Sequence, residues 1–332
     1  MTCRILLLAL VWLGIVAAVD IDTQTRLAER TAASLKPLVV ADPSAALARI
    51  VVLRRKAAAR KGPLINATLI HLQAEALLRL DKLDRAEPLI KEGIAQVLPV
   101  APRSQLMGDL LLSRGILHVE QVDVAAALAD FHAAFNIFQK LGNARAQART
   151  LLSLAILYSN AGDYGSALRY TSQARDIYKG EPLMVLTILN SRALALQELG
   201  RTREAERQYL EALAVAHSIE SPLLRLQILR NIARLQIDTK RLAAASQTVA
   251  AAQRLSRQID VSDELPMLSL EAKLLFKLGR VREAGAIIDR GFSGVDLGKT
   301  PLSNRVAHET AVDVYSALGS ADKALPHLRA MK

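Results

Sequence analysis

Apolar residues recur along this 332-residue chain at the three- and four-residue spacing of amphipathic helices. Leu and Ala supply most of the apolar positions, and both residues favour helices. A sustained alternation of apolar and polar residues, which is typical of strands, is not found in the sequence. The pattern therefore predicts an all-α protein.

Small residues recur at one helical phase about every 40 residues. The copies are Ala46, Ala86, Ala127, Ala167, Ala205, Ala245, Ala284 and Ala324. Twelve residues before seven of them stand Ala74, Gly115, Ala155, Ala193, Ala233, Ala272 and Val312. Where two helices cross closely, a large side chain overpacks the contact at a cost of about 1–3 kcal/mol. The spacing predicts a repeated pair of packed helices.

Glycines and prolines mark the ends of these helices. A glycine stands five residues before four of the alanines, at Gly162, Gly200, Gly279 and Gly319, and predicts the turn within each pair. Prolines that fit the first turn of a helix precede the apolar runs at Pro63, Pro102, Pro182, Pro222, Pro266 and Pro301. We expect Pro88 and Pro326 to lie in the first turn of a second helix, where no intrahelical donor is lost.

The clearest copy reads Leu151-x-x-Leu154-Ala155-x-x-Tyr158-x-x-x-Gly162-Asp163-Tyr164-x-x-Ala167. With this pattern the chain resembles the tetratricopeptide repeat family over residues 40–332. The resemblance implies a right-handed superhelical solenoid of antiparallel helix pairs, with about seven pairs after a lead-in helix at residues 19–39. The family period is about 34 residues, so the helices or links here are longer, and Trp is absent from every copy.

The first residues have the features of a secretory leader. Arg4 precedes the apolar run Ile5–Ala18, and small residues at its end suit cleavage after Ala18. Residues 1–18 are therefore predicted to be a signal peptide, and the protein to be periplasmic or otherwise exported. The alternative is an uncleaved N-terminal membrane anchor. Cys3 is the only cysteine, so thiol chemistry is not expected in the mature chain.

The chain is basic, with 43 Lys and Arg against 32 Asp and Glu and a net charge of +11. A net positive charge suits binding to an acidic partner or an anionic surface, or it serves solubility alone. Nucleic acid is not expected as a partner of an exported protein. The densest basic cluster is Arg54, Arg55, Lys56, Arg60 and Lys61. Contact with an anionic lipid surface and complementation of a helix C-terminus both explain this cluster, and we favour the second.

The tetratricopeptide resemblance implies that ligands lie on the face formed by the first helix of each pair. Projected onto the repeat, the predicted partner-binding residues are Arg149, Asn190, Gln197, Arg230, Arg234 and Lys273, and His71 and Glu75 also face inward. Arg230 and Arg234 are four residues apart and share a helix face, which suits a carboxylate, a phosphate or an acidic peptide. The alternative is an ordinary solvated helix face.

Catalytic, cofactor and metal sites are not predicted. Gly298-Lys299-Thr300 resembles the end of a phosphate-binding loop, but Ser293 stands where that motif needs glycine. The six histidines lack the spacing of a helical zinc site. We therefore expect a protein that is not an enzyme and that needs no cofactor.

Two functions remain open. The first is an exported scaffold that acts in the periplasm by binding a protein or peptide. The second rests on a further resemblance, to the periplasmic sensory regions of bacterial membrane receptors whose outputs are diguanylate cyclases or histidine kinases, here without their membrane and output domains. The last predicted helix carries an apolar stripe, Leu325, Leu328 and Met331, which suits association with another surface. The sequence does not name the partner or the oligomeric state.

Overall fold

The computed structural model describes residues 23–24, 26–58, 63–261, 265–297 and 304–331. Within these ranges the regular elements are helices, and no strand occurs among them. The predicted all-α class is confirmed. The predicted leader at residues 1–18 and the loop at residues 298–300 lie outside the described residues. The chain divides into two compact units, and the boundary falls between Leu157 and Tyr158.

The first unit is built from antiparallel helix pairs. Helix α3 packs against α4, and α5 packs against α6, each across a short turn. The described part of α1, the predicted lead-in helix, contributes Leu35 and Val39 to a core that it shares with α2 and α3. The helices are α1 (26–41), α2 (Pro43–Ala58), α3 (Pro63–Arg79), α4 (Leu83–Val97), α5 (Gln105–Glu120), α6 (Val124–Lys140) and α7 (Ala144–Asn160), the last of which extends past the boundary.

The second unit repeats the same arrangement. Helix α9 packs against α10, α11 against α12, α13 against α14, and α15 against α16. The first helices of neighbouring pairs also contact each other, α13 packing against both α11 and α15. The helices are α8 (Tyr164–Ile177), α9 (Pro182–Glu198), α10 (Thr202–Ser218), α11 (Pro222–Asp238), α12 (Leu242–Gln258), α13 (Leu265–Lys277), α14 (Val281–Gly291), α15 (Arg305–Ala317) and α16 (Ala321–Ala330).

The turns within the pairs close by one hydrogen-bonding motif. The residue five before the recurring alanine has a positive φ at Asp81, Val122, Gly162, Gly200, Lys240, Gly279 and Gly319. The next N–H then donates to a carbonyl five residues back, as from Asp163 to Tyr158 at 2.9 Å and from Arg201 to Leu196 at 2.8 Å. This is the Schellman cap. The four predicted turn glycines are confirmed, and three repeats adopt the same conformation without glycine.

The recurring small residues lie where the helices of a pair cross. All eight alanines of the repeated phase are buried, and so are six of the seven small residues twelve positions earlier. At Gly115 the backbone approaches the ring of Phe131, which is fully buried. Val312 differs, because it is only half-buried and the neighbouring Ala311 takes the core position instead.

The prediction for two of the prolines is wrong. Helix α4 begins at Leu83 and α16 begins at Ala321, so Pro88 and Pro326 are each the sixth residue of their helix. The N–H groups of Arg85 and Ala86 already donate to the Lys82 carbonyl at 3.2 and 3.1 Å, which places Pro88 past the first turn. Each proline therefore removes one intrahelical hydrogen bond. Both helices continue, Pro88 being followed by a buried stripe that includes Ile90 and Val97.

Candidate functional site

The first helices of three successive pairs in the second unit enclose a groove of about 300 Å³. Helix α11 supplies one wall, α13 the floor next to it, and α15 the opposite side. Pro222 begins α11 and Pro266 is the second residue of α13, so both helices start where the proline ring is tolerated. The groove is lined by Gln227, Arg230, Asn231, Arg234, Pro266, Ser269, Leu270, Lys273, Asn304, Val306, Ala307 and Thr310.

Three of the predicted partner-binding residues line this groove together. Arg230 and Arg234 stand one helical turn apart on α11, and Lys273 projects from α13. Among the described residues that line the groove there is no Asp or Glu, while amide and hydroxyl side chains are frequent. The groove is therefore a cationic surface with many neutral hydrogen-bonding groups.

The cations of the groove are held in place by neighbouring side chains. The Nη2 of Arg234 donates to Oδ1 of Asn231 at 2.6 Å, and Nδ2 of Asn231 donates to Oδ1 of Asn190 at 2.7 Å. The Nζ of Lys273 lies 2.7 Å from Oδ1 of Asp238. An amide has two N–H groups and two acceptor lone pairs, so Asn231 keeps capacity for a further bond of each kind.

Two more predicted residues support the groove from α9 without lining it. Asn190 holds Asn231 as described above. The Nε2 of Gln197 lies 3.5 Å from Oδ2 of Asp238, and Oε1 of Gln197 accepts a hydrogen bond from the Tyr209 hydroxyl at 3.2 Å. Burial raises the pKa of Tyr209 above its ordinary range, so this hydroxyl stays a donor. Asp238 thus connects Gln197 to Lys273.

Arg149 lies apart from the other five residues, in the first unit. Its Nη2 donates to Oδ1 of the buried Asp109 at 2.8 Å. Burial alone would raise the pKa of Asp109, but the nearby cations Arg149 and Lys36 hold this pKa below its ordinary value. Arg149 therefore balances a buried carboxylate of its own unit.

Sequence reasoning missed several groove residues, among them Asn231, Asn304 and Thr310. One signal was available for Asn231, because it follows Asn190 by 41 positions, close to the repeat period. The basic cluster near residue 54 has a structural role for Arg54, which donates to Gln73 at 2.8 Å and to Glu92 at 3.1 Å. Two of its members, Arg60 and Lys61, lie outside the described residues.

The described helices also limit other kinds of site. In the described ranges every helix is too short or too polar to cross a lipid bilayer. His, Cys, Asp and Glu side chains do not gather there in groups of three that would hold a metal ion.

Comparison with known proteins confirms the resemblance to tetratricopeptide repeats. Residues 106–180, which run from the second residue of α5 to beyond the end of α8, match the family model described as tetratricopeptide repeat. The curated proteins contain no match to the sequence.

Solved structures share the fold at low sequence identity. The apo form of the quorum sensor NprR from B. thuringiensis is 12% identical, covers 96% of this chain and 86% of its own, and has a TM-score of 0.69. A Rap protein complexed with Competence and Sporulation Factor is 12% identical, covers 95% and 96%, and has a TM-score of 0.69. NprR in complex with its cognate peptide NprX is 14% identical, covers 92% and 86%, and has a TM-score of 0.61.

Proposed function

We propose that this chain is an exported tetratricopeptide-type scaffold that binds an acidic peptide, or an acidic segment of a protein, in the groove between α11, α13 and α15. The observation that carries the proposal is the convergence of Arg230, Arg234 and Lys273 on this one groove. A solvated helix face does not require cations from two helices to meet over a concave surface.

The neutral side chains of the groove favour a peptide over a bare anion. Asn231, Asn304 and Gln227 carry amides, and Ser269 and Thr310 carry hydroxyls, so the lining contains both donors and acceptors besides the cations. An extended peptide presents a backbone N–H and a C=O at each residue, and it needs partners of both kinds. Two proteins of the same fold are named in complex with a peptide or factor, NprR with NprX and Rap with Competence and Sporulation Factor.

The electrostatic contribution of the groove is large enough to measure. Hydrogen bonds to charged groups contribute about 1.5–3 kcal/mol each when solvent access is reduced. Because 1.4 kcal/mol is about a tenfold change in affinity, the double variant Arg230→Glu, Arg234→Glu is expected to weaken binding of an acidic peptide by at least about tenfold. Binding is also expected to weaken as salt concentration rises.

The test uses fluorescently labelled pools of short randomised peptides, made in acidic, neutral and basic batches. Anisotropy titration of the full chain should show tighter binding of the acidic pool than of the basic pool, and the double variant should lose this preference. The matched control is the double variant Arg254→Glu, Arg257→Glu, the same charge change at two exposed positions of α12. Equal binding of the three pools, or an unchanged preference in the double variant, would overturn the proposal.

Export is a separate part of the proposal and rests on residues 1–18. Expression of the full gene product in a bacterial host should yield a periplasmic protein that begins after Ala18, as measured by intact mass. Retention of residues 1–18 in a membrane fraction would instead favour the N-terminal anchor.

The scaffold is proposed to act by binding and not by catalysis. The receptor-type sensory function stays an alternative hypothesis, in which the same groove holds a small acidic ligand. Titration with glutarate distinguishes the two: saturable displacement of the acidic peptide pool by glutarate favours the small-ligand sensor, and the absence of displacement favours the peptide scaffold.

A further inference from the structure

A second cavity, of about 270 Å³, lies in the first unit between α1, α3 and α5. We refer to it as the first-unit cavity. Most of its wall is apolar and is made of small side chains on α1 together with two leucines, namely Ala28, Ala32, Ala33, Leu64 and Leu106. Its polar lining residues are Glu29, Lys36, Thr68, His71, Ser104, Gln105 and Asp109. The cavity is thus amphipathic, and we call the part formed by Lys36, Thr68, His71 and Asp109 its polar end.

His71 is the group at the polar end that lacks a partner. Its side chain is only 2% exposed, and neither ring nitrogen has a hydrogen-bond partner among the described residues. Glu75 Oε2 lies 3.8 Å from Nε2, beyond hydrogen-bond distance. Buried polar groups in folded proteins are nearly always paired, and His71 lies in the cavity lining, so a molecule in the cavity can supply the partner.

The carboxylates near His71 are already matched by cations. Asp109 is opposed by Arg149 at 2.8 Å and by Lys36 at 3.5 Å. Glu75 is opposed by Arg79 at 3.3 Å. Burial lowers the pKa of His71, which leaves a neutral ring with one donor and one acceptor. A charged ligand would disturb this balance in a buried place, where an unpaired charge is costly.

We propose that the first-unit cavity binds a small uncharged amphipathic molecule. Its apolar chain would lie against Ala28, Ala33 and Leu106, and its amide or hydroxyl head would hydrogen-bond to the His71 ring. The site is independent of the cationic groove, because it lies in the other unit and selects against charge.

The experiment compares three probes that differ only in the head group: hexanamide, hexylammonium and hexanoate. Each is titrated into the full chain with ¹⁵N-labelled histidine, and the ring signals of His71 report on its two nitrogens. Hexanamide should shift the His71 ring signals in a saturable way. The two ionic probes should bind at least about tenfold more weakly, since a single buried hydrogen bond or unpaired charge accounts for 1.4 kcal/mol or more.

Two variants and a control secure the interpretation. Ala33→Leu fills the apolar side and should abolish hexanamide binding, while His71→Leu should remove the preference for the amide head. His132→Leu, at an exposed histidine of α6, is the matched control and should leave binding unchanged; far-UV circular dichroism confirms that each variant is folded. Equal binding of the three probes, no binding of any, or hexanamide binding that survives in Ala33→Leu would each overturn the proposal.

Discussion

The crossing of α5 and α6 provides the sharpest test of how the helix pairs are held together. A Cβ atom added at Gly115 would lie 2.5 Å from Cε1 and 2.6 Å from Cδ1 of Phe131. Carbon atoms in good contact are about 3.5–4.0 Å apart, so the ring or the helix must move by about 1 Å. Phe131 is fully buried, so moving its ring disturbs the core around it. Gly115→Ala should therefore overpack the crossing.

The magnitude follows from two opposing effects. Alanine favours a helix interior over glycine by about 1 kcal/mol, and overpacking costs about 1–3 kcal/mol. Gly165→Ala, at the second residue of α8, adds the same methyl group without a clash, because Gly165 is exposed and its added Cβ would meet only Asp163 Oδ1 at 3.4 Å. The free energy of unfolding should rise in Gly165→Ala, and should be lower in Gly115→Ala than in Gly165→Ala by about 1–3 kcal/mol.

The assay is urea unfolding followed by circular dichroism, with native-state hydrogen exchange to locate the change. Exchange should accelerate in α5 and α6 of Gly115→Ala, since in repeat proteins each pair is stabilised mainly by its neighbours. Equal stabilisation by both substitutions would refute the argument, because it would mean that Gly115 is not needed for close approach.

Two side-chain contacts and one backbone conformation each allow a further prediction. His327 and His308 share a buried contact between their Nδ1 atoms at 2.8 Å, and burial, followed by the nearby His308, lowers the pKa of His327 to about 4. The unfolded chain therefore binds more protons below about pH 6.5, so acidification from pH 7 to about pH 5 should lower the free energy of unfolding by about 1–2 kcal/mol, and His327→Leu should reduce this pH dependence. Val122 holds a φ of 61° while 79% exposed, so Val122→Gly should raise the free energy of unfolding by about 1 kcal/mol in urea titration. Asp130 accepts from Nε and Nη2 of Arg114 at 2.7 and 2.6 Å, so Asp130→Asn should lower the free energy of unfolding by about 2 kcal/mol, and no loss would show that this pair is not stabilising.

Much of the fold was predictable because its requirements are expressed in residue size and backbone freedom. The crossing of two helices needs a small residue, and Ala193 and Ala205 satisfy that need at a fixed spacing. A left-handed turn residue favours glycine, as at Gly200. The same conformation at Val122 and Lys240 was not predictable, because those residues only adopt it when the surrounding cap requires it.

The candidate site was predictable in part, for a different reason. Arg230 and Arg234 share a face because they are four residues apart, which is a property of one helix. The pairing of Lys273 with Asp238 joins two helix pairs, so it depends on the stacking between pairs, which local sequence does not express. The first-unit cavity was not predictable either, since its volume depends on how far α1 stands from α3 and α5.

The central claim is that the groove between α11, α13 and α15 is the working surface, and photocrosslinking tests it most directly. Acidic peptides from the pool, each carrying benzoylphenylalanine, are bound to the full chain and irradiated, and the crosslinked residues are mapped by mass spectrometry. The account predicts crosslinks within the groove, at residues such as Ser269, Leu270 and Thr310. Crosslinks concentrated on the second helices α12 and α14, or spread evenly over the surface, would contradict it.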